Sequence, residues 1–176
     1  AAVAHDFALQ ARGFAEMDDL SNAVLAAIAP LGLTAAASGM VSGPKAASAN
    51  LFHFTNWPAE WAAAYAAENL VLVDPIPRWA RNSGQALSWS TLFAVLPERD
   101  PGKRAISAGA TFGFTEGFLV PMRAMDSSLG AVSFGGDRGA FSVEEEVFLE
   151  TVAHHAFVAA DRIETGGGRG QKGTLR

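Results

Sequence analysis

Two apolar runs, GFLVPMRAM over 117–125 and LGAVSFGG over 129–136, are separated only by Asp126-Ser127-Ser128. A parallel crossover takes about a dozen residues, so a three-residue connection predicts an antiparallel hairpin. Such a hairpin commits the chain to a sheet whose apolar faces need covering, and the remaining segments must supply the cover.

The cover is legible on both sides of the hairpin. Over the first 30 residues, Phe7, Phe14, Met17, Leu20, Val24, Leu25 and Ile28 recur at threes and fours, which predicts one or two amphipathic helices stopped by Pro30. Leu31 to Val41 leads into GMVSG, a strand closed by a turn at Gly43-Pro44, and LFHFT at 51–55 reads as a second strand. PAEWAAAYAAENL, from Pro58, is helical, with Pro near the start and Glu60 in the first turn. A shorter helix follows Asp74-Pro75 to about Gly84, ALSWS at 86–90 is a short strand, and 97–113 is a loop followed by a helix. FSVEEEVFLETVAHHAFVAADRI, 141–163, is a long helix in which Ser142 and Glu145 form a capping box. The tail from Thr165 has five glycines in twelve residues, a linker composition. The order predicts an α+β domain, an α-β-α sandwich with a central antiparallel sheet and helices on both faces.

Composition narrows the function. At 176 residues, 49% hydrophobic and 18% charged, the chain fits one folded domain. It has no cysteine, which excludes disulfides, thiolate metal sites and a cysteine nucleophile. No apolar run is long enough to span a bilayer and the amino end has no export signal, so a soluble, cytoplasmic chain is expected, without a membrane partner. The net charge of −5 is uneven: residues 165–176 carry Arg169, Lys172 and Arg176 without an acid, leaving −8 on residues 1–164. A body of that charge repels phosphate backbones.

Trp57, Trp61 and Tyr65 recur at spacing four and stack on one face if the helix begins just before Pro58; Asp74 follows shortly after. Each ring buries an apolar body and keeps one polar atom that needs a partner when buried. One reading is a core stripe beside Asp74, with Asp74 as the cap of a helix that starts at Pro75; the other is a pocket with several donors and one carboxylate acceptor. Other signals are structural. His154-His155 are adjacent, about 100° apart on a helix, and do not make a metal pair. Glu144, Glu145 and Glu146 suit a helix start. Ser88, Ser90 and His53 lack a nucleophile-elbow motif. No metal site, cofactor or catalytic residue is assigned.

The stretch TNWPAEWAAAYAAENLVLVDPIPRWARNSGQALSWS, 55–90, resembles the autoinducer-binding domain of LuxR-type quorum-sensing regulators. The marks are Trp61, Tyr65 four residues on, Asp74-Pro75 and Trp89, with Gly117 and Pro121 in GFLVP. The resemblance extends over about 1–164 and implies a PAS/GAF-like sensor whose ligand is an N-acyl-homoserine lactone. It implies that Trp61 donates to the lactone carbonyl, Asp74 accepts from the amide N–H, Ser133 serves the amide carbonyl, and Tyr65 and Trp89 wall the pocket. Trp57 stands where the family usually has Tyr, which affects the amide-carbonyl contact. Val71 and Val73 are further candidate walls. Residues 165–176 then read as a basic linker toward a helix-turn-helix reader outside this chain, and a homodimer that contacts DNA only through that reader is expected. The alternatives are a LuxR-like sensor for another small molecule and a lactone or ester hydrolase.

Overall fold

A computed structural model describes residues 2–43, 52–124 and 127–170. Pro44, Leu51 and Asp126, named above in the two turns and the second strand, lie outside the described residues.

Two helices, α1 (Ala2–Ala11) and α2 (Met17–Ile28), fill the amino-terminal segment, and a 3-10 turn at Ala29–Leu31 ends it at Pro30. Gly32 then reverses the chain in the left-handed region, φ 74°. The sheet follows as β1 (Leu33–Ser42), β2 (Phe52–Thr55), β3 (Leu87–Ser88), β4 (Glu116–Arg123) and β5 (Leu129–Gly136), all antiparallel in the order β2-β1-β5-β4-β3. Between β2 and β3 lie α3 (Ala59–Ala67), a 3-10 turn (Leu70–Leu72) and α4 (Pro75–Asn82); α5 (Trp89–Val95) and α6 (Gly102–Ala110) precede β4, and α7 (Val143–Gly170) closes the chain.

One face of the sheet packs against α1, α2 and α7. There Met40, Phe118, Val120, Val132 and Phe134 interlock with Leu20, Val24, Ile28, Leu149, Val152 and Phe157. The other face carries α3, α4, α5 and α6 over two smaller apolar clusters. The expected α-β-α sandwich is present, with the 117–136 hairpin at its centre. Glu145 N–H donates to Ser142 Oγ at 3.3 Å and Ser142 N–H to Glu145 Oε2 at 2.8 Å, so the capping box opens α7.

Three local readings change. ALSWS is a strand only at Leu87–Ser88; Ser88 Oγ then accepts from Thr91 N–H and starts α5, which places Trp89 at a helix start. The helix from Pro58 covers only Ala59–Ala67, because Asn69 turns left-handed at φ 51°. The helical backbone of α7 also runs to Gly170, six residues into the glycine-rich stretch read as linker. Elongating an established helix needs no new nucleus, which offsets the poor propensity of glycine.

Candidate functional site

The strands set the site through their alternation. On β1, Ala35, Ala37 and Gly39 face one side, and on β5, Ala131, Ser133 and Gly135 face the same side; the register pairs Ala37 with Ser133 and Gly39 with Ala131. These six small residues make a low floor beneath α3 to α6. Above it lies a cavity of about 490 Å³, within the roughly 300–1,000 Å³ usual for small-molecule sites. Its lining includes Ile76, Ile106 and Phe114 along with the other aromatic residues.

Trp89 rests on this floor because two glycines admit it. A Cβ on Gly117 would meet Trp89 Cε2 at 2.3 Å and the Phe134 carbonyl oxygen at 2.4 Å, and one on Gly135 would meet Trp89 Cη2 at 2.8 Å. These glycines are cross-strand partners on β4 and β5, so the family mark at Gly117 has a steric reason. Glu116 fixes the same region by accepting from Ser90 N–H at 3.1 Å and Gly117 N–H at 2.9 Å. Pro121 lies past Phe118 and Leu119, the residues of β4 that pair with β3, where among the described residues no strand pairs with β4 on that side.

A β-bulge supplies the cavity's outer wall. Ser38 of β1 pairs with Phe54 and Gly39 with Phe52, so His53 is an extra residue on β2. Phe52 and Thr55 consequently line the cavity, whereas His53 and Phe54 face the α7 side.

Trp57, Trp61, Tyr65, Val71, Asp74, Trp89 and Ser133 all line the cavity. Val73 does not; it packs into the apolar cluster built around Trp61, Leu70 and Phe114. Trp57 precedes α3 instead of lying on it, yet its ring still meets Tyr65 at 5.2 Å and Trp61 at 6.1 Å. Trp61 is buried, with Tyr65, Phe112 and Phe114 around it at 5.5, 5.3 and 6.1 Å. Trp79 packs elsewhere and donates its Nε1–H to the Gln85 carbonyl.

Asp74 caps a helix and also lines the cavity. Its Oδ1 accepts from Ile76 N–H at 2.8 Å and caps α4, while Oδ2 accepts from the Tyr65 hydroxyl at 2.6 Å. Burial pushes its carboxyl above the usual aspartate range, opposed by the hydrogen bonds from Tyr65 and Ile76 and by the charge of Arg78. Burial and the neighbouring carboxylate push the Tyr65 phenol up as well, so it remains a donor. Each carboxylate oxygen keeps capacity for a further donor. Ser133 Oγ and Trp89 Nε1 are buried polar atoms without a hydrogen-bond partner among the described residues. Such atoms cost about 1–3 kcal/mol each unless something in the cavity engages them.

The hydrolase constellation does not assemble. Ser88 Oγ is occupied with Thr91 and Ser90, while the His53 ring packs on Phe157 beyond the opposite face of the sheet. His154 is exposed on α7, with Nδ1 at 2.8 Å from the Glu150 carbonyl. Sequence reasoning missed the small-residue floor, Phe52, Thr55 and Arg81. The period-two recurrence of Ala35, Ala37 and Gly39 against Ala131, Ser133 and Gly135 was the signal that could have found the floor.

The profile of the autoinducer binding domain family matches residues 16–160. RpaR, a quorum sensing-dependent transcriptional regulator of Rhodopseudomonas palustris, is 32% identical over 110 residues, covering 62% of this chain and 44% of RpaR. BjaR1, a transcriptional activator of Bradyrhizobium diazoefficiens, is 24% identical over 144 residues, covering 82% of this chain and 60% of BjaR1. The chain thus spans about half the length of these relatives. Among solved structures, SdiA in complex with octanoyl-rac-glycerol superposes with a TM-score of 0.73 at 17% identity, over 92% of this chain and 66% of SdiA. CepR2 of Burkholderia cenocepacia also gives 0.73 at 17% identity, over 93% of this chain and 97% of CepR2. A GAF domain of a Bacillus halodurans sensor histidine kinase gives 0.54 at 14% identity, over 88% and 99% of the two chains, which matches the GAF-like expectation. This chain belongs to the autoinducer-binding-domain family of LuxR-type quorum-sensing regulators.

Proposed function

We propose that the chain is a sensor domain that encloses an N-acyl-homoserine lactone in the cavity above β1 and β5. The observation that carries this reading is the buried Ser133 hydroxyl, unpartnered among the described residues, on the same cavity as the anchored Asp74 carboxylate. A lactone and its amide offer two carbonyl acceptors and one N–H donor. Trp61 Nε1–H donates to the lactone carbonyl, Asp74 accepts from the amide N–H and the Ser133 hydroxyl donates to the amide carbonyl. Tyr65 holds Asp74 in orientation, and Trp57, Trp89 and Val71 wall the site. The acyl chain lies over the alanine and glycine floor, where each buried methylene contributes about 0.8 kcal/mol.

Residues 1–164 form the sensor body in this reading, and the chain beyond leads toward a helix-turn-helix reader of DNA. The exposed Val143, Val147 and Val158 of α7 offer a surface for a homodimer, to be read by sedimentation. The protein acts as a receptor and leaves the lactone intact. The occupant named with SdiA, an octanoyl glycerol, favours a second reading in which the cavity takes an acyl ester with hydroxyl groups in place of the amide.

Melting the protein with lactones of graded acyl length and with a monoacylglycerol, then identifying extracted ligand by mass spectrometry, tests both readings. A lactone-specific rise in Tm with intact lactone recovered is expected, since a ligand bound to the folded state stabilises it. No shift with any lactone would remove the first reading, a shift with the acyl glycerol alone would replace it with the second, and steady loss of lactone would mark a hydrolase.

A further inference from the structure

The bulge in β2 that turns Phe52 toward the cavity turns His53 the other way, onto α7. The His53 side chain is 2% exposed, and its ring lies 5.2 Å from that of Phe157. Nδ1 is 3.3 Å from the hydroxyl of Ser38, itself fully buried, and Nε2 is 3.5 Å from Glu164 Oε2. Asp161 lies three residues before Glu164 on the same face of α7, and the three ligand atoms, one imidazole nitrogen and two carboxylate oxygens, lie within 4.8 Å of one another. Arg162, between the two acids, turns away and donates to the carbonyls of Ala11 and Phe14 at 3.2 and 2.7 Å.

We infer that His53, Asp161 and Glu164 form a binding site for a divalent first-row transition cation, with zinc as the representative ion, which ties β2 to the carboxyl-terminal turns of α7. Two carboxylates balance the charge of a divalent ion, and an imidazole nitrogen selects transition metals over calcium or magnesium, which prefer oxygen. Bonds of about 2.1 Å in a tetrahedral shell put neighbouring ligand atoms roughly 3.4 Å apart. The 3.5 Å between His53 and Glu164 already meets that spacing; binding the ion requires Asp161 to exchange a contact it already makes for the metal. Ser38 provides the outer hydrogen bond that orients a metal-binding imidazole and fixes which nitrogen faces the ion. Glu164 is 43% exposed and gives the ion an entry path, with water completing the shell. Because the residue preceding His53 lines the cavity, the clamp acts on the cavity wall and on α7 together.

The test is titration of the metal-stripped 176-residue chain with Zn²⁺ by calorimetry and with Co²⁺ by visible absorption. One equivalent is expected to bind with a rise in Tm, with Co²⁺ bands typical of nitrogen and oxygen ligands and a shifted His53 Nε2 resonance in nitrogen NMR. His53→Gln and Glu164→Gln should each weaken binding by about tenfold or more, and a His154→Gln/His155→Gln double variant should bind as wild type does. Glu164→Gln alters an exposed group and keeps the test valid if His53→Gln does not fold. Retained affinity in Glu164→Gln, loss of binding in the double variant, or no stoichiometric binding to the wild-type chain would each overturn the site.

Discussion

The two faces of the sheet are made from the same strands and behave oppositely. Gly117 and Phe118 are neighbours on β4: Phe118 is buried among the α1, α2 and α7 side chains, whereas Gly117 leaves room on the cavity face for the Trp89 indole. The same holds on β5 for Val132, which joins the packed core, and Ser133, which lines the cavity. One face gains stability by filling space with large side chains, and the other keeps space open by withholding them. The cost of the open face is visible in polar atoms that find no partner among the described residues and in a carboxyl that burial pushes toward its neutral form.

The contrast is broken first by the packed face. Phe118→Ala should lower unfolding free energy in urea by about 3–5 kcal/mol, the usual cost of a phenylalanine-sized cavity. It should leave the ligand preference of the folded protein unchanged, because Phe118 does not line the cavity. Gly117→Ala, one residue away, should cost about 1–3 kcal/mol through overpacking, and it should also shift tryptophan fluorescence and weaken ligand binding by displacing Trp89. If the two variants behave alike, the faces are not functionally distinct.

Ser133→Ala sharpens the comparison with a smaller effect of divided sign. Removing a buried hydroxyl that has no partner among the described residues should leave the ligand-free protein equally or more stable in urea, while lactone binding measured by calorimetry weakens by about 1–2 kcal/mol. Equal lactone affinity in the variant would take Ser133 out of the proposed site.

The smallest effects are those of pH, and here two carboxyls differ in sign. Asp74 has a raised pKa when folded, so its contribution is fully present below the ordinary aspartate value of about 3.9 and is lost as pH rises through the folded value. The stability of wild type relative to Asp74→Asn should therefore increase as pH falls from neutrality. Glu145, at the head of α7, is held low by its hydrogen bonds from Arg138 and Ser142. Its contribution is present above the ordinary glutamate value and is lost as pH falls through the lowered one, so wild type should lose its advantage over Glu145→Gln in acid. Urea titrations of both pairs across that range check the opposite slopes.

Much of this architecture was readable in advance where a signal was local. The capping box of Ser142 and Glu145 names its own helix start, and the short connection between β4 and β5 permits one pairing. Trp89 was misplaced in a strand because ALSWS is too short to separate strand from helix by periodicity; its helix is set by Ser88 and by Glu116, which arrives from β4. Trp57 fitted a helical spacing yet meets Tyr65 from the segment that precedes α3, since ring contacts can be made by chain entry as well as by helix face. Val73 packs behind the lining residues, after a left-handed Asn69 and a 3-10 turn break the helical spacing that follows α3.

By itself, then, the sequence determined the family, the sandwich and the identity of most groups on the proposed site, because these rest on local spacing and on which side chains carry donors or acceptors. Tertiary structure decided that a cavity exists, how large it is, and which polar side chains line it. Those properties depend on registers between strands, Ala37 against Ser133 and Gly117 against Gly135, and on the bulge that separates Phe52 from His53. Space left empty between packed layers has no residue of its own to announce it.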